Sequence, residues 1–463
     1  KSLDESEMYK ELEKRTNVHV NFEHPAEGQE EEQFNILVNS KELPDVIQTY
    51  PSSYKGGLDK AVEDGVYLKL NDLIDKYAPH IKKLLDDDPE LAKEVMTDKG
   101  NIVTIPMISV DKGEPAWWGP VIRQDWLDEL GLEEPKTIAE WENVLKQFKE
   151  KKHCKAPLMI SKKGVDPYGS VISAFDIGPG FYKKGDKVAY GYMQPEFKDY
   201  LETMNKWYKE GLIDVDFATR DSKSKQALIT SGQVGIYITE YALIDQYQAA
   251  IKGTDPKAKF MPIEHPVLNK GDKLHYRVVN WRTGGYEAAI TTSCKHPERV
   301  VQWFDYAFSE EGFKLFNYGI ENVSYKMVDG KPKFTELITN NPEGDYWTVC
   351  NKWKLDVGPY LRDYKAIPEF SEVDKIGMKK WTIPDDDYVM PPVTLNAEEE
   401  GIYAEKMTDI DTYKDEMILK FITGAEPLSK FGAFQEQLKT MGIEDVVNLY
   451  QSALDRFNNR KIK

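Results

Sequence analysis

Cysteine is scarce in this sequence, and the few cysteines present exclude several classes of protein. The 463 residues include three cysteines, Cys154, Cys294 and Cys350, which are far apart and form no Cys-x-x-Cys motif. An odd number cannot complete a disulfide framework, and the spacing differs from that of structural zinc ligands. The seven histidines are scattered and form no paired-histidine motif. We therefore expect mostly buried thiols, no metal centre and no cofactor.

The chain also lacks long apolar runs and a surplus of positive charge. No apolar run reaches the roughly 18 residues that a membrane-spanning helix needs. The formal net charge is −18, whereas nucleic-acid binding depends on a basic surface that contacts phosphates. With 40% hydrophobic and 30% charged residues, the composition predicts a folded globular protein of two or three compact units that binds no nucleic acid.

Motifs for phosphate binding and catalysis are missing as well. Neither GxxxxGK[ST] nor GxSxG occurs in the sequence. Residues 409–416 resemble a calcium loop, but Lys414 stands at the sixth position, where such a loop needs glycine. We interpret this segment as an exposed lead-in to a helix. Because the chain has 79 acidic residues, the carboxyl pair of a glycoside hydrolase stays open as an alternative, although no hydrolase motif is present.

Helix and strand patterns alternate along the chain. Near the N-terminus, a polar helix ending at Thr16 precedes an alternating pattern that predicts a strand over residues 18–22. A second helix, with Phe34 on its buried side, leads to a short strand at residues 45–47. Further along, residues 137–140, Thr-Ile-Ala-Glu, form a capping box that begins another helix. The sequence therefore predicts an α/β fold.

Residues 289–319, AITTSCKHPERVVQWFDYAFSEEGFKLFNYG, carry the most informative pattern. A short β-type run ends in a Cys-Lys-His-Pro turn, and Pro297 stands at the first position of an amphipathic helix. A second helix begins at Ser309. Spacings of three and four residues place one set of side chains on the buried face of the first helix: Val300, Val301, Phe304 and Phe308.

This segment resembles a family when it is read with two others. The others are residues 123–137, RQDWLDELGLEEPKT, and the C-terminal helices that follow Met390. All three resemble extracellular solute-binding protein family 1, in particular the large lipoprotein-type binding proteins of Gram-positive ABC sugar importers. The resemblance spans nearly the whole chain and is weakest over residues 335–385. It implies a two-lobed α/β fold of the periplasmic-binding-protein type (type II, or Venus-flytrap) with three crossovers.

The resemblance also implies the extent of each lobe. The first α/β lobe is expected to span residues 1–113 and 287–320. The second and larger lobe, which includes the C-terminal helices, is expected to span residues 116–284 and 322–463. Within the motif of residues 123–137, we interpret Arg123, Asp125 and Trp126 as structural residues, because the family shares them whatever the ligand.

Three crossovers are expected near residues 111–113, near residues 284–286 and near Asn322. The glycines at the first two, Gly113 and the pair Gly284 and Gly285, suit hinges that absorb backbone rotation. Ordinary turns would explain the same glycines, so the hinge interpretation rests on the resemblance.

The resemblance implies a binding protein rather than an enzyme. Such a protein captures an oligosaccharide in the cleft between its lobes, and its closed form is recognised by the permease subunits of an ABC importer. The chain begins with Lys1, so we expect a processed, monomeric form on the extracellular face of the cytoplasmic membrane. A preceding segment would have carried the export signal and the lipid anchor.

Candidate ligand contacts are aromatic and polar residues beside the expected crossovers and strand ends, because sugars stack on aromatic faces and bond to planar polar groups. Each candidate also has a structural explanation, such as core packing for a tryptophan or an internal ion pair for Arg282. The predicted ligand-contact residues are Gln48, Tyr50, Trp117, Trp118, Glu240, Tyr241, Trp281, Arg282, Trp353, Tyr360 and Arg362.

The chemistry of the ligand stays open at this point. A neutral oligosaccharide fits the aromatic candidates, whereas an acidic, uronate-containing saccharide would require Arg282 and Arg362 to converge on its carboxylate. A peptide is a further alternative. The sequence alone does not distinguish these ligands, because sugar hydroxyls are recognised by the geometry of polar groups on loops.

Overall fold

The computed structural model describes residues 2–26, 28–40, 42–111, 115–279, 281–340, 346–353, 358–364, 371–383 and 385–460. Within these residues the chain forms two four-stranded sheets, each with its own hydrophobic core, and two separate hairpins. The predicted α/β class and the two-lobed architecture are therefore confirmed.

Helices pack on both faces of each of the two sheets. Their bounds are α1 Glu7–Thr16, α2 Glu30–Ser40, α3 Gly57–Glu63, α4 Asn71–Tyr77, α5 Pro79–Asp87, α6 Pro89–Val95, α7 Gln124–Leu130, α8 Ile138–Gln147, α9 Glu196–Lys209, α10 Ser222–Thr230, α11 Ile244–Ile251, α12 Pro297–Tyr306, α13 Glu310–Tyr318, α14 Glu336–Thr339, α15 Tyr346–Trp353, α16 Glu372–Trp381, α17 Ala397–Thr423, α18 Phe431–Thr440 and α19 Ile443–Asn458.

The strands in the described part of the chain are short, and each has between two and eight residues. Their bounds are β1 Val46–Thr49, β2 Thr104–Ser109, β3 Trp118–Arg123, β4 Ala156–Leu158, β5 Phe181–Lys184, β6 Lys187–Tyr190, β7 Val234–Glu240, β8 Phe260–Pro262, β9 Thr283–Ile290, β10 Tyr325–Val328, β11 Lys331–Phe334 and β12 Leu361–Arg362.

The first sheet has the strand order β1-β9-β2-β12. β9 runs antiparallel to both of its neighbours, and β12 runs parallel to β2. One face of the sheet packs on α4, α5, α6 and α12, and the other face packs on α2 and α3. Pro106 interrupts β2 and shifts its register against β9, since proline cannot donate the ladder hydrogen bond.

The second sheet has the strand order β4-β7-β3-β8. β7 is antiparallel to β3, with Trp118 opposite Glu240, and parallel to β4. Its largest core contains buried residues of α7, α8, α9, α17, α18 and α19. A second core on the same sheet contains residues of α11 and the fully buried Trp381 of α16. The C-terminal helices therefore belong to the second lobe.

Local sequence signals place several helices correctly. Thr137 caps α8 and completes the predicted capping box with Glu140. Pro297 is the first residue of α12, and the Ser309 side chain caps α13. The predicted structural role of Arg123 is confirmed. Its buried guanidinium donates hydrogen bonds to the carboxylates of Asp125 and Asp255.

Two local predictions have different outcomes. Residues 18–22 form no strand in the structure, because the alternating side chains find no neighbouring strand to pair with. Residues 409–416 lie inside α17 rather than leading into it, and Ile410 and Lys414 are buried. The helical part of the prediction is confirmed, and the exposed lead-in is wrong.

The position of the third crossover differs from the expected one near Asn322. After that residue the hairpin β10–β11 and helices α14 and α15 pack on the first core, through Tyr325, Phe334 and their neighbours. β12 then adds a strand to the first sheet. On these contacts we propose that the first lobe spans residues 2–111 and 282–362, and the second lobe spans residues 116–281 and 371–460.

The lobes also touch away from the crossovers. Arg456 and Arg460, at the end of α19, both bind Asp98 of the first lobe, at 2.7 Å and 2.8 Å. Arg456 holds Glu399 of α17 as well. The C-terminal helix therefore braces one lobe against the other.

Among the described residues, no helix is both long enough and apolar enough to cross a bilayer.

Gly119 tests the packing of the second lobe. A Cβ at this position would overlap the indole ring of the fully buried Trp381. We expect Gly119→Ala to lower the free energy of unfolding by about 1–3 kcal/mol, because overpacking forces the ring to move. Denaturant unfolding of purified protein measures the change.

The matched control is Gly401→Ala. Gly401 is an exposed position in α17 with open space around a Cβ, so alanine should raise stability by about 0.5–1 kcal/mol there. A Gly119→Ala variant as stable as the parent protein would contradict the close contact between Trp381 of α16 and Gly119 of β3.

Candidate functional site

One edge of the first sheet lies beside the crossovers. β2 ends at Ser109, directly before the first crossover. β9 begins at Thr283, so the second crossover precedes this residue, and the expected position at residues 284–286 lies inside β9. β1 runs in the same direction as β2, so its last residues and Tyr50 reach the same edge. β12 also ends there, with Arg362 paired to Ser109. We call this set of strand ends the first-lobe edge.

The second sheet has a corresponding edge. β3 begins at Trp118, directly after the first crossover, and Glu240 at the end of β7 lies opposite it. β4 runs parallel to β7, so the loop that follows β4, with Asp166 and Tyr168, also comes to this edge. We call these residues, together with Trp117, the second-lobe edge. Ligands of open α/β sheets bind at the ends of strands, so the two edges together form the candidate site.

Three aromatic rings gather at the second-lobe edge. The ring of Tyr168 lies 4.9 Å from that of Trp117 and 5.0 Å from that of Trp118, both in edge-to-face geometry. The two tryptophan rings are 5.7 Å apart. All three side chains are half-buried, so each packs partly on the core of the second lobe and is partly exposed.

Asp166 fixes one of these rings. Its carboxylate accepts a hydrogen bond from the indole Nε1 of Trp118 at 3.0 Å and another from the backbone N–H of Ser170 at 2.9 Å. Burial raises the pKa of Asp166, while these hydrogen bonds oppose the shift. Because the carboxylate is buried and holds the indole N–H, the Trp118 ring has one orientation.

The first-lobe edge carries its own aromatic pair. Tyr50 and Tyr286 are each 50% exposed, and their ring centroids are 4.4 Å apart. Tyr50 was predicted as a ligand contact, whereas Tyr286 was named only as part of a crossover. The backbone of the preceding Gly285 has φ +76°, a conformation that favours glycine. An aromatic residue directly after a glycine pair, near an expected crossover, is the sequence signal that could have identified Tyr286.

A carboxyl group follows Tyr286 in β9. Glu287 is half-buried in β9, opposite Thr49, and accepts a hydrogen bond from the hydroxyl of Thr104. Burial raises the pKa of Glu287 from 4.5 to about 7. The group therefore changes its charge near neutral pH.

Arg282 is held by the first lobe itself. Its guanidinium pairs with Asp88 and donates to the carbonyl oxygen of Ser109 at 3.2 Å. Glu94 accepts from the backbone N–H of the next residue, Thr283, at 3.3 Å, and burial raises the pKa of Glu94. These contacts tie the start of β9 to α6 and β2. They support the structural explanation of Arg282, an internal ion pair.

Trp281 lies apart from the other predicted tryptophans. It lines a cavity of about 180 Å³ together with the β5–β6 hairpin and the end of α19, including Lys183, Asp186 and Phe457. The structure thus brings Trp117 and Trp118 together but leaves Trp281 in a separate cavity beside the second crossover.

The remaining predicted contacts fall into two groups. Gln48 is exposed at the first-lobe edge, and the backbone N–H of Tyr241 donates to the carbonyl oxygen of Trp117 at 3.0 Å. Trp353 and Tyr360, by contrast, are buried in the first core, where Tyr360 stacks on Phe316. Since their rings pack inside the lobe, we no longer propose that these two residues contact a ligand.

The first expected hinge lies outside the described residues, because it falls on Lys112 and Gly113. In the part of the chain that the structure does describe, no group of three or more metal-ligating side chains is arranged to hold an ion. Cys154 and Cys350 are buried thiols, and Cys294 is partly buried.

Comparison with protein families gives one match. Residues 3–312 match the family described as bacterial extracellular solute-binding protein.

Curated relatives match along most of their length. The polygalacturonan/rhamnogalacturonan-binding protein YtcQ of Bacillus subtilis is 24% identical, covering 96% of this chain and 87% of YtcQ. Lipoprotein LipO of the same organism is 27% identical, covering 97% and 90%. The fructooligosaccharide ABC transporter substrate-binding protein FusA of Streptococcus pneumoniae is 29% identical, covering 100% and 89%.

Solved structures share the fold. The alginate-binding protein AlgQ2, solved without calcium ion, is 26% identical with a TM-score of 0.75, covering 98% of this chain and 94% of AlgQ2. FusA in complex with kestose is 21% identical with a TM-score of 0.78, covering 100% and 97%. The latter similarity supports the fold alone.

The raised pKa of Glu287 implies that the stability of the folded chain depends on pH. Because its pKa is higher in the folded chain than in the unfolded chain, ionisation costs stability as pH rises from about 4.5, and the full cost is present above about pH 7. Glu287→Gln keeps an acceptor for Thr104 but removes the charge. We expect the variant to gain about 1–3 kcal/mol over the parent between pH 4.5 and pH 8.

Denaturant unfolding across this pH range measures the difference. Glu405→Gln, at an exposed position of α17, is the control and should give a difference that does not change with pH. A Glu287→Gln difference that is equally flat would contradict the burial of this carboxyl group.

Proposed function

The chain belongs to the family of bacterial extracellular solute-binding proteins, and from this we propose that it binds an oligosaccharide between its two lobes for an ABC importer. The observation that carries the proposal is the pair of aromatic groups at the crossovers. Tyr50 and Tyr286 lie on the first-lobe edge, and Trp117, Trp118 and Tyr168 lie on the second-lobe edge.

Aromatic groups on both lobes suit a ligand that bridges them. A sugar ring stacks its apolar face on an aromatic side chain and turns its hydroxyls to polar neighbours. Glu240 lies opposite Trp118, and its charge acts on Tyr168. Gln48 is a polar group on the strand that leads to Tyr50, and Glu287 is one on the strand that contains Tyr286. Several separate stacking faces favour an oligosaccharide over a single sugar, because each sugar ring needs its own face.

Lobe closure is the proposed mechanism. A ligand that contacts both edges stabilises the closed form, because its affinity for that form is higher. The glycines Gly284 and Gly285 lie within β9, whose first residues pair with β2, so we propose that the rotation occurs before Arg282, where the second crossover enters the first lobe. The permease subunits would then recognise the closed form.

We further propose that the protein acts without catalysis, as a monomer on the extracellular face of the membrane. The lipoprotein name of the relative LipO supports a lipid anchor in a segment that precedes this chain. No covalent step is needed, because capture and release follow from the equilibrium between open and closed forms.

An acidic saccharide is the second candidate ligand. The relatives YtcQ and AlgQ2 carry the names of acidic polysaccharides, whereas FusA carries that of a neutral fructooligosaccharide. At these levels of identity the names support both an acidic and a neutral saccharide. The choice between these ligands therefore depends on the side chains of this chain.

Removal of an aromatic side chain tests the site. We expect Tyr286→Ala and Trp117→Ala each to weaken binding of the saccharide about 10-fold to 100-fold, because each removes a stacking face. Isothermal titration calorimetry with a panel of neutral and acidic oligosaccharides measures the affinity, and chromatography of the same mixtures should detect no shorter products.

Tyr77→Ala is the matched control. Tyr77 is an exposed tyrosine at the end of α4, and α4 packs on α5 and α12, so its removal should leave the affinity unchanged. Parent-like affinity in both test variants would place the site elsewhere. Release of shorter sugars with turnover would replace the binding function with a hydrolase.

A further inference from the structure

Among the described residues of the first-lobe edge, the two arginines predicted to meet a ligand carboxylate already interact with the chain itself. Arg282 pairs with Asp88 and with the carbonyl oxygen of Ser109, and 11% of its side chain is exposed. Arg362, the other arginine predicted to meet a ligand carboxylate, also interacts with other groups of the chain. Because Arg282 is paired with a carboxylate, it offers little net positive charge to a second carboxylate.

Two lysines of the second lobe, Lys225 and Lys183, also have oxygen or acidic neighbours. The Nζ of Lys225 donates to the carbonyl oxygen of Ile238, next to the end of β7, at 3.0 Å. Burial lowers the pKa of Lys225, and the charge of Asp166 opposes that shift. In the cavity beside Trp281, Lys183 is accompanied by Asp186. Each of these lysines therefore has an oxygen partner or an acidic neighbour.

Carboxyl groups occupy both edges. Burial and the charges of Asp166 and Glu240 raise the pKa of the Tyr168 hydroxyl, so both acids act on the aromatic group of the second lobe. Glu287 and Glu94 stand at the first-lobe edge. Carboxylates accept strong hydrogen bonds from hydroxyl groups, but they repel other carboxylates at short range. This arrangement suits a ligand that is rich in hydroxyls and carries no negative charge.

We infer that the ligand is a neutral oligosaccharide, and that Asp88 disfavours acidic saccharides by occupying Arg282. The inference rests on the proposed oligosaccharide function and adds the chemical class of the ligand. It also assigns a specificity role to Asp88, a residue outside the predicted ligand contacts, which acts through Arg282.

Asp88 can be changed without removing its helix cap. Its side chain accepts from the backbone N–H of Leu91 at 3.3 Å and so caps α6. Asparagine caps helices as well as aspartate does, so Asp88→Asn removes the charge that neutralises Arg282 and keeps the helix start. Asp87→Asn is the matched control. It is the preceding residue, is exposed and pairs with Lys83.

The experiment is isothermal titration calorimetry with two chemically matched sets of sugars. Oligogalacturonates are compared with the same oligosaccharides after reduction of their carboxyl groups, and neutral malto-, xylo- and fructo-oligosaccharides complete the panel. We expect the parent protein to bind a neutral member at least about tenfold more tightly than any acidic one. Asp88→Asn should strengthen oligogalacturonate binding about threefold to tenfold and leave neutral binding within about twofold.

Each outcome has a distinct meaning. Tighter binding of an acidic oligosaccharide by the parent overturns the inference and leaves the oligosaccharide function standing. Unchanged oligogalacturonate binding in Asp88→Asn, with unfolding temperatures like those of the parent and of Asp87→Asn, overturns the role of Asp88. Binding of no oligosaccharide at all overturns the proposed function itself.

Discussion

The pairing of β9 with both β1 and β2 is the constraint on which the two-lobed structure depends. β9 comes directly from the second lobe and enters the first sheet between two strands that run in the opposite direction. Its first residues pair where β2 ends, so the second crossover lies beside the first. The strand ends nearest to these crossovers therefore become the walls of the space between the lobes.

The ion pair of Arg282 with Asp88 secures this strand and also shapes the charge of the site. It ties the start of β9 to the helix α6 of the first lobe, which keeps the crossover in place. The same pair cancels the charge of an arginine that sequence reasoning assigned to the ligand. The side chains that remain at the edges are aromatic rings, carboxyl groups and an amide. These groups can accept hydrogen bonds from ligand hydroxyls, whereas the carboxyl groups would repel an anionic ligand.

Local signals in the sequence predict local structure, and long-range packing accounts for the differences. Pro297 and Ser309 mark the starts of α12 and α13 because capping depends only on nearby residues. The burial of Tyr360 depends on β12 joining the first sheet, which no nearby residue signals. Asp166 went unnoticed because its partner Trp118 lies 48 residues away in sequence. The sequence therefore predicts that the two tryptophans and the strand ends belong to the candidate site. It does not predict that Asp166 and Tyr168 join Trp117 and Trp118 in one cluster.

The central claim is that a saccharide binds between the lobes and draws them together. Small-angle X-ray scattering of the protein with and without a saturating oligosaccharide, chosen by calorimetry, tests this claim most directly. The account predicts a smaller radius of gyration in the loaded protein, because closure brings the two edges together. An unchanged radius of gyration at full saturation would contradict it, since the ligand would then bind without bridging the lobes.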